Sequence, residues 1–342
     1  MNASRFQTIT GKYQKLRIAV VGDFCLDRYL EIDPAKKETS LETGLPVHNV
    51  VRVRAQPGGA GTIVNNLSAL GVGTIFPIGF CGEDGEGFEL QRALRSLPGV
   101  SLDYFLATPK RRTFTYTKPL VLRASRASRE LNRLDLKNWT PTARAIQQAL
   151  AGWLRRVATR VDAITVLDQA PSAQAGVVTG AVLKSLRKLS VIRHAPVIFA
   201  DSRRGLRGFP PVIFKMNRAE LGAFVKSKRS LSLAQVRAAA AVVARRNRRP
   251  VFVTLAEHGI LGASPDGSVE QVTAQPMRGP IDIVGAGDAV MANLAASLAA
   301  GATLREALEI ANAAASVVIH KLGTTGTATV KEIAAALKPT RS

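Results

Sequence analysis

Apolar residues fall along this chain in two rhythms. The first is the short unbroken run. Residues 17–27 (RIAVVGDFCLD) carry Ile18, Ala19, Val20 and Val21 in succession before Gly22-Asp23, the pattern of a strand buried on both faces. The same reading applies to TIFPIGFCG at 74–82, AITVLD at 163–168, PVIFAD at 196–201, VIFKMN at 212–217 and PVFVTLAEHG at 250–259. Amphipathic stretches between these runs predict helices within 58–71, with Ile63, Leu67 and Leu70 on one side, and over 83–97, 143–157, 175–189, 218–225 and 233–246. The second rhythm is alternation, at 31–57 through Val47, Val51 and Val53 and again at 113–135. Alternation predicts short strands with one solvated face, outside the core.

From Thr140 onward strand and helix follow in turn, which implies a mostly parallel sheet covered by helices on both faces. Ligands of such sheets bind beyond the carboxyl ends of the strands. Asp23, Asp168, Asp201, Asn217 and Thr254 each end a predicted strand and are therefore the first site candidates. Near the end, 281–284 reads as a short strand running into Gly285-Ala286-Gly287-Asp288. Two helices rich in small residues follow, at 285–301 and 303–323.

Composition narrows the classes. The chain has 342 residues, 46% of them hydrophobic, too many for a disordered chain and enough for a large core. No apolar run is long enough to span a bilayer, since Asp282 and Asp288 interrupt the nearest one. No secretory signal is visible, so a cytoplasmic location is expected, with no membrane as partner. Two cysteines, Cys25 and Cys81, exclude a disulfide scaffold and read as small core residues. The four histidines, His48, His194, His258 and His320, lack metal-ligand spacing and read as structural or surface groups. The net charge of +22 points to an anionic partner or to a solvated arginine-rich surface. The basic residues are dispersed and only 5% of the chain is aromatic, so nucleic acid is not the expected partner.

The GAGD turn carries the chemistry. Its glycines let the amides of 286 to 288 point to one locus, and a helix N-terminus adds partial positive charge there, which makes an anion hole. Asp288 admits two readings. It is either a first-turn carboxylate or a base placed beside the hole, able to take a hydroxyl proton while phosphoryl charge is stabilised. No G-x-x-x-x-G-K-[ST] occurs, and the third glycine of a dinucleotide fingerprint is Val290 here.

At this point several motifs agree. IDIVGAGDAVMANLAASLAAG (281–301), PGGAGTIVNNLSALG (57–71) with GFCGEDGEG (79–87), KMNRAE (215–220) and VFVTLAEHG (251–259) stand in the order found in the ribokinase-like (PfkB) carbohydrate kinases. The chain resembles that family over nearly its whole length. GDFCLDRYL, RLD at 133–135, LETGLPV and ANAAASVVIHKLGTTG are similar to the kinase half of the bacterial heptose-phosphate kinase/ADP-heptose synthases. No nucleotidyltransferase half is expected here, the sequence ending at Ser342.

The resemblance implies one ribokinase-like α/β domain over 1–342, with small lid strands at about 31–54 and 111–135 that close over the sugar and make a homodimer interface. It implies ATP-dependent phosphorylation of a hydroxyl on a hexose or heptose phosphate, with ATP and Mg²⁺ as cofactors. Asp288 would deprotonate the acceptor while the amides of Gly285, Ala286 and Gly287 line the anion hole. Asn217 and Glu220 would hold Mg²⁺ through water; Thr254, Glu257, Gly259 and Asn312 would surround the nucleotide. Asp23, Asp27, Gly58, Gly59, Asn66, Arg133 and Asp168 would bind the sugar. Two departures stand out. Thr62 occupies a place usually held by Asn, and LDQAPSAQAG (167–176) keeps Asp168 without the heptose kinases' Tyr and Lys. Arg111, Arg112, Lys118, Arg133, Arg203 and Arg204 remain as cations for a sugar phosphate, the last two favoured by their place after Asp201. The rival readings are a catalytically weak sugar- or nucleotide-binding member of the same fold and, behind it, a nucleic-acid-binding protein.

Overall fold

The chain begins with helix α1 (Ala3–Thr10), strands β1 (Arg17–Gly22), β2 (Phe24–Thr39) and β3 (Pro46–Gly59), and helix α2 (Ala60–Ala69). It continues through β4 (Thr74–Gly82), α3 (Gly85–Arg95), β5 (Phe105–Thr108), β6 (Phe114–Val121), β7 (Arg129–Glu130) and β8 (Leu134–Leu136). Next come α4 (Arg144–Val157), β9 (Ala163–Asp168), α5 (Gly180–Leu189), β10 (Val197–Ser202), β11 (Ile213–Asn217), α6 (Arg218–Phe224) and α7 (Leu233–Asn247). The last part holds β12 (Val251–Thr254), β13 (Ile260–Ala263), β14 (Val269–Val272), α8 (Ala286–Ala299), α9 (Leu304–Ile319) and α10 (Val330–Ala336). This computed structural model describes residues 1–123, 128–193, 195–276 and 279–337. Residues 124–127, inside the second alternating segment, and His194 lie outside the described residues.

Nine strands form one sheet in the order β14-β13-β12-β11-β10-β9-β1-β4-β5. From β12 to β5 every pairing is parallel, and β13 and β14 close one edge antiparallel. Period-two side-chain alternation assigns the two faces. Ile18 and Val20 join a core with α1, α2, α3, α8, α9 and α10, while Ala19 and Val21 join a second core with α4, α5, α6 and α7. Strands buried on both faces explain the unbroken apolar runs. Alanines at 289, 292, 296, 307, 311 and 314 are fully buried where α8 and α9 pack together. Among the described residues no helix is long and apolar enough to cross a membrane.

The alternating segments build a separate five-stranded sheet, ordered β3-β2-β6-β7 with β8 also on β6. It leaves Val50, Val51 and Val53 of β3 and Leu134 and Leu136 of β8 exposed. Strand order reverses between β1 and β9, so the carboxyl ends of β1, β9, β10 and β11 surround a topological switch point.

As expected, β1 ends at Gly22; Asp23 donates its N–H to Leu167 O, and β2 starts in the other sheet at Phe24. Two expectations are corrected. The helix expected over 175–189 begins only at Gly180: ahead of it the backbone turns differently, the Thr179 N–H donating to Val177 O at 2.9 Å and the Val177 N–H to the Asp23 carboxylate at 2.7 Å. No strand precedes Gly285. Residues 281–284 pair with no strand, and the Asp282 N–H reaches Ile319 O on α9 instead.

Candidate active site

Helix α8 starts at the switch point. Gly285 stands at its N-cap with φ +81°, a left-handed conformation natural to glycine, and a Cβ there would lie 2.5 Å from Thr325 Cγ2. Of the amides expected to line the anion hole, that of Ala286 donates to Ile283 O at 3.2 Å and is engaged in the turn. The N–H groups of Gly287 and Asp288 lie in the first turn, where no carbonyl of the helix can reach them.

Asp288 is deep among neighbouring atoms yet still reached by solvent, and it makes no hydrogen bond among the described residues. Its carboxyl is pushed up to about 7. Burial is the main cause; Lys215 pulls it back, Asp201 pushes it up, and Arg203 and Asp27 act more weakly in opposite directions.

Sequence reasoning missed Lys215. It is 6% exposed on β11, and its Nζ lies 2.7 Å from Asp201 Oδ2 on β10. The same Nζ lies 3.0 Å from where a Cβ on Gly287 would stand, so the glycine leaves room for an ammonium against the start of α8. Burial acts to neutralise this lysine, but Asp201 first and Asp288 second hold it charged. The available signal was a lysine in an otherwise apolar strand, two residues before Asn217 and hence on the same face.

Arg203 and Arg204 divide their work. Both oxygens of Asp168, which is 1% exposed, accept from Arg204 Nη2 at 3.0 and 2.8 Å, and Oδ2 also accepts from Ser202 Oγ. Asp168 and Arg204 thus form a closed structural unit. Arg203 donates its backbone N–H to Asp168 O at 3.0 Å, but its exposed guanidinium makes no hydrogen bond or ion pair among the described residues, and its charge is felt at both Asp288 and Asp27. It stands over the cleft between them.

On the other wall, Asp27 of β2 is 7% exposed and accepts from Thr325 Oγ1 at 3.1 Å. Burial raises its pKa, opposed by Lys118, the Thr325 hydrogen bond, Arg133 and Arg203. A Cβ on Gly58 would sit 2.7 Å from Asp27 Cγ and 2.8 Å from Cys25 Sγ, so that glycine lets β3 pass the carboxylate. Gly59, at φ +59°, would clash with Asp23 O if it bore a side chain. Arg133 stacks 4.8 Å over the Tyr116 ring and chelates Asp135 at 2.6 and 2.8 Å. Lys118 is buried 3.4 Å from Tyr29 Oη.

Several expected sugar contacts are turned inward. The Asp23 carboxylate accepts the amides of Gln169, Ala170 and Val177, each at 2.7 Å, and is 4% exposed. Burial, reinforced by Asp168, pushes it up to about 6 against those hydrogen bonds. It pins the loop after β9 and leaves little surface for a ligand. Asn66 is wholly buried, its Nδ2 donating to Thr62 O at 2.9 Å. Arg111 is also inside, its guanidinium donating to Ala175 O, Thr140 O and Pro141 O. Arg112 is largely exposed beside Asp84.

On the far side, Asn217 and Glu220 form a capping box at the start of α6. The Glu220 N–H donates to Asn217 Oδ1 at 2.9 Å, and the Asn217 N–H to Glu220 Oε2 at 2.7 Å. The second Glu220 oxygen remains open, and burial followed by the Asp201 charge raises its pKa. Thr254 ends β12 and Glu257 is exposed in the turn after it. Gly259, at φ +83°, abuts Val272 O so closely that no Cβ fits. Asn312 Nδ2 donates to Thr273 O at 2.9 Å, tying α9 to the segment after β14. The mutual charge effects bring Asp27, Asp201, Arg203, Lys215 and Asp288 to one cleft, with Glu220 at its edge, while Glu257 and Gly259 lie in the turn after β12 and Asn312 on α9, bonded to the segment after β14. Among the described residues no group of three or more His, Cys, Asp or Glu side chains could hold a metal ion.

Comparison with known proteins shows the family and the fold. Residues 15–331 match the sequence profile of the pfkB family carbohydrate kinases. The chain is 32% identical over 324 residues to the bifunctional protein HldE of Azorhizobium caulinodans, covering 94% of this chain and 64% of that protein. It is 32% identical to the HldE of Hyphomonas neptunium over 98% of this chain and 66% of that protein. It therefore spans about two thirds of the length of these curated relatives. Among solved structures, Arabidopsis thaliana ribokinase complexed with ribose and ATP superposes with a TM-score of 0.67 at 19% identity, covering 94% of this chain and 99% of that one. Phosphofructokinase-2 of Escherichia coli in complex with fructose-6-phosphate gives 0.68 at 18% identity, over 94% and 97%. At such identities the likeness is one of fold.

Proposed function

The chain belongs to the pfkB family of carbohydrate kinases, and from that premise we propose that Asp288 is the base of an ATP-dependent transfer to a sugar or sugar-phosphate hydroxyl. The observation that carries the reading is the meeting, at the start of α8, of a carboxylate with a pKa near 7, two first-turn amides without a partner among the described residues, the Lys215 ammonium and the Arg203 guanidinium. Phosphoryl transfer asks a protein for positioning and charge stabilisation rather than covalent help. In the proposed step the acceptor O–H proton passes to an Asp288 oxygen as the O–Pγ bond forms. The bond from Pγ to the β,γ-bridging oxygen breaks, and its electrons leave with ADP. The amides of Gly287 and Asp288, with Lys215, receive the negative charge spread over the transferred group.

Asp27 and Arg133 face the acceptor side. Arg203 is the cation free to take a phosphate already on the sugar, the work that Arg204 cannot do while it chelates Asp168. Thr254, Glu257, Gly259 and Asn312 are assigned to the nucleotide. Mg²⁺ accompanying the nucleotide would neutralise triphosphate charge. The open Glu220 oxygen fits a contact to it through water, whereas the Asn217 carbonyl is already engaged. The whole chain acts as one catalytic unit in this reading, with the five-stranded sheet as lid over the sugar. Its exposed valines and leucines are the proposed contact between two copies.

The test is ADP release with ATP, Mg²⁺ and a panel of hexoses, hexose phosphates and heptose 7-phosphate. One acceptor class is expected to support turnover, with kcat/KM rising as pH passes about 7 and Asp288 loses its proton. Asp288→Asn should lower kcat by at least about 10²-fold with nucleotide binding retained. Near-normal turnover in that variant removes Asp288 from the role.

A further inference from the structure

Ten exposed cations outside the catalytic cleft gather at the opposite edge of the sheet. Helices α4, α5 and α7 each precede a parallel strand, so each delivers its C-terminus to the N-terminal edge of that strand. The register sets Ala163 of β9 beside Ile18 and Val197, and pairs Phe199 with Ile213 and Phe214 with Val251, so the strand starts lie side by side. Three helix ends and the loops that follow them therefore gather along one edge, about 17–20 Å from the carboxyl ends where catalysis occurs.

That edge is strongly basic. α4 brings Arg155, Arg156 and Arg160, all exposed. α5 and its loop bring Arg187, Lys188 and Arg193, also exposed. The end of α7 brings four exposed arginines between 245 and 249, of which Arg249 reaches across to Ser190 O at 2.9 Å and ties the α7 and α5 ends together. Segments 144–162, 180–197 and 233–251 contain a single acid, Asp162, whose Oδ2 accepts the Arg17 N–H at 2.8 Å. The neighbouring carboxylate, Asp266 in the β13–β14 turn, is bonded to Ser268. Favourable interaction with a helix dipole fades beyond the last turn, and Arg160, Arg193, Arg248 and Arg249 lie past the helix ends. Helix stabilisation does not account for them.

In the middle of this cationic edge two apolar side chains face solvent. Val191 is 77% and Ile192 53% exposed, directly between Lys188 and Arg193. Exposed apolar residues ringed by cations suit the boundary of an anionic bilayer, where the cations meet headgroups and the apolar pair enters the acyl region. A nucleic-acid surface would have no use for the pair and would favour aromatic stacking platforms, and among the described residues of these three loops no aromatic side chain is exposed. We propose that this edge docks the protein on the surface of an anionic lipid bilayer, with Val191 and Ile192 inserted and the cleft facing away from the membrane. Such peripheral docking needs no spanning helix, and it revises the expectation that no membrane partner exists.

The full-length protein is tested by co-sedimentation with extruded phosphatidylcholine vesicles, with and without phosphatidylglycerol. Binding is expected only with phosphatidylglycerol and should fall steeply as salt is raised. The triple variant Arg187→Gln, Lys188→Gln and Arg193→Gln should bind about 10²-fold more weakly, at about fivefold per cation. The pair Val191→Ser and Ile192→Ser should lose roughly tenfold while keeping the salt dependence. Both variants should keep the wild-type melting temperature and turnover, since no replaced side chain supports the cleft. Absence of pelleting with phosphatidylglycerol, or pelleting undiminished in the triple variant, overturns the proposal. So does a serine pair that binds like wild type, or duplex DNA that displaces the vesicles with an affinity the serine pair does not change; that last result would assign the edge to nucleic acid.

Discussion

Replacing Lys215 by methionine keeps an unbranched apolar stem and removes the ammonium, both its charge and its hydrogen bond to Asp201. Two carboxylates lose their counter-charge. Asp201, 8% exposed, would stand in the interior without the ammonium now 2.7 Å away. Breaking a buried pair from one side costs about 3–5 kcal/mol, because the surviving charge is left uncompensated. At about 2.1 cal/mol/K of unfolding entropy per residue, 342 residues give about 0.7 kcal/mol/K, so the melting midpoint should drop by roughly 4–7 °C. Asp288 would lose the main group that holds its pKa down to about 7, so the acid limb of kcat/KM should move upward. An opposite charge at such range shifts a carboxyl by about 1–3 pH units, and a displacement of at least about one unit is expected. Calorimetry at neutral pH and a pH–rate profile between pH 5 and 9 read the two effects separately. The double variant Lys215→Met with Asp201→Asn should recover about half or more of the lost stability but none of the lost turnover. An unmoved acid limb together with a midpoint within about 1 °C of wild type would show that Lys215 is coupled to neither carboxylate.

Asp288→Asn should stabilise the protein at pH 8. The folded carboxyl titrates near 7 against an ordinary value of 3.8, so between those values the folded state holds more protons than the unfolded one and wild-type stability falls as pH rises. The gain is about 1–2 kcal/mol after allowing for solvent access, it vanishes below pH 4, and melting curves across that range measure it. Arg204→Gln should cost about 2–3 kcal/mol of stability by stranding Asp168, whereas Arg203→Gln should leave the melting temperature alone and raise KM for the acceptor; equal effects on both readouts would refute the division. Gly58→Ala should disturb the Asp27 carboxylate, which has no room to retreat from a Cβ 2.7 Å away, and so raise KM for the acceptor several-fold with KM for ATP unchanged.

Much of this was legible in the residues. Apolar runs marked β4 and β9 to the residue, because a strand buried on both faces must be apolar throughout. The ends of β9, β11 and β12 fall at Asp168, Asn217 and Thr254, as the polar residue after each run implied. What misled was local pattern overridden by distant partners. Residues 175–179 have helical periodicity, but the Asp23 carboxylate takes the Val177 amide from 154 residues away. The Asn-x-x-Glu spacing also builds a capping box at the start of α6, a local role its motif did not announce.

The sequence alone determined the class of fold, the order of the elements and the place of the GAGD turn, since these follow from periodicity and spacing within a few residues of each other. Tertiary structure decided which charges are free to act. Arg203 and Arg204 are indistinguishable as neighbours in the chain, and only the approach of β9 to β10 gives one of them to Asp168 and leaves the other over the cleft. Likewise Lys215 becomes part of the site only because β10 and α8, remote in sequence, bring Asp201 and the Gly287 backbone against it. Charge pairing is set by distance in space and by burial, and neither is written in the spacing of residues along the chain.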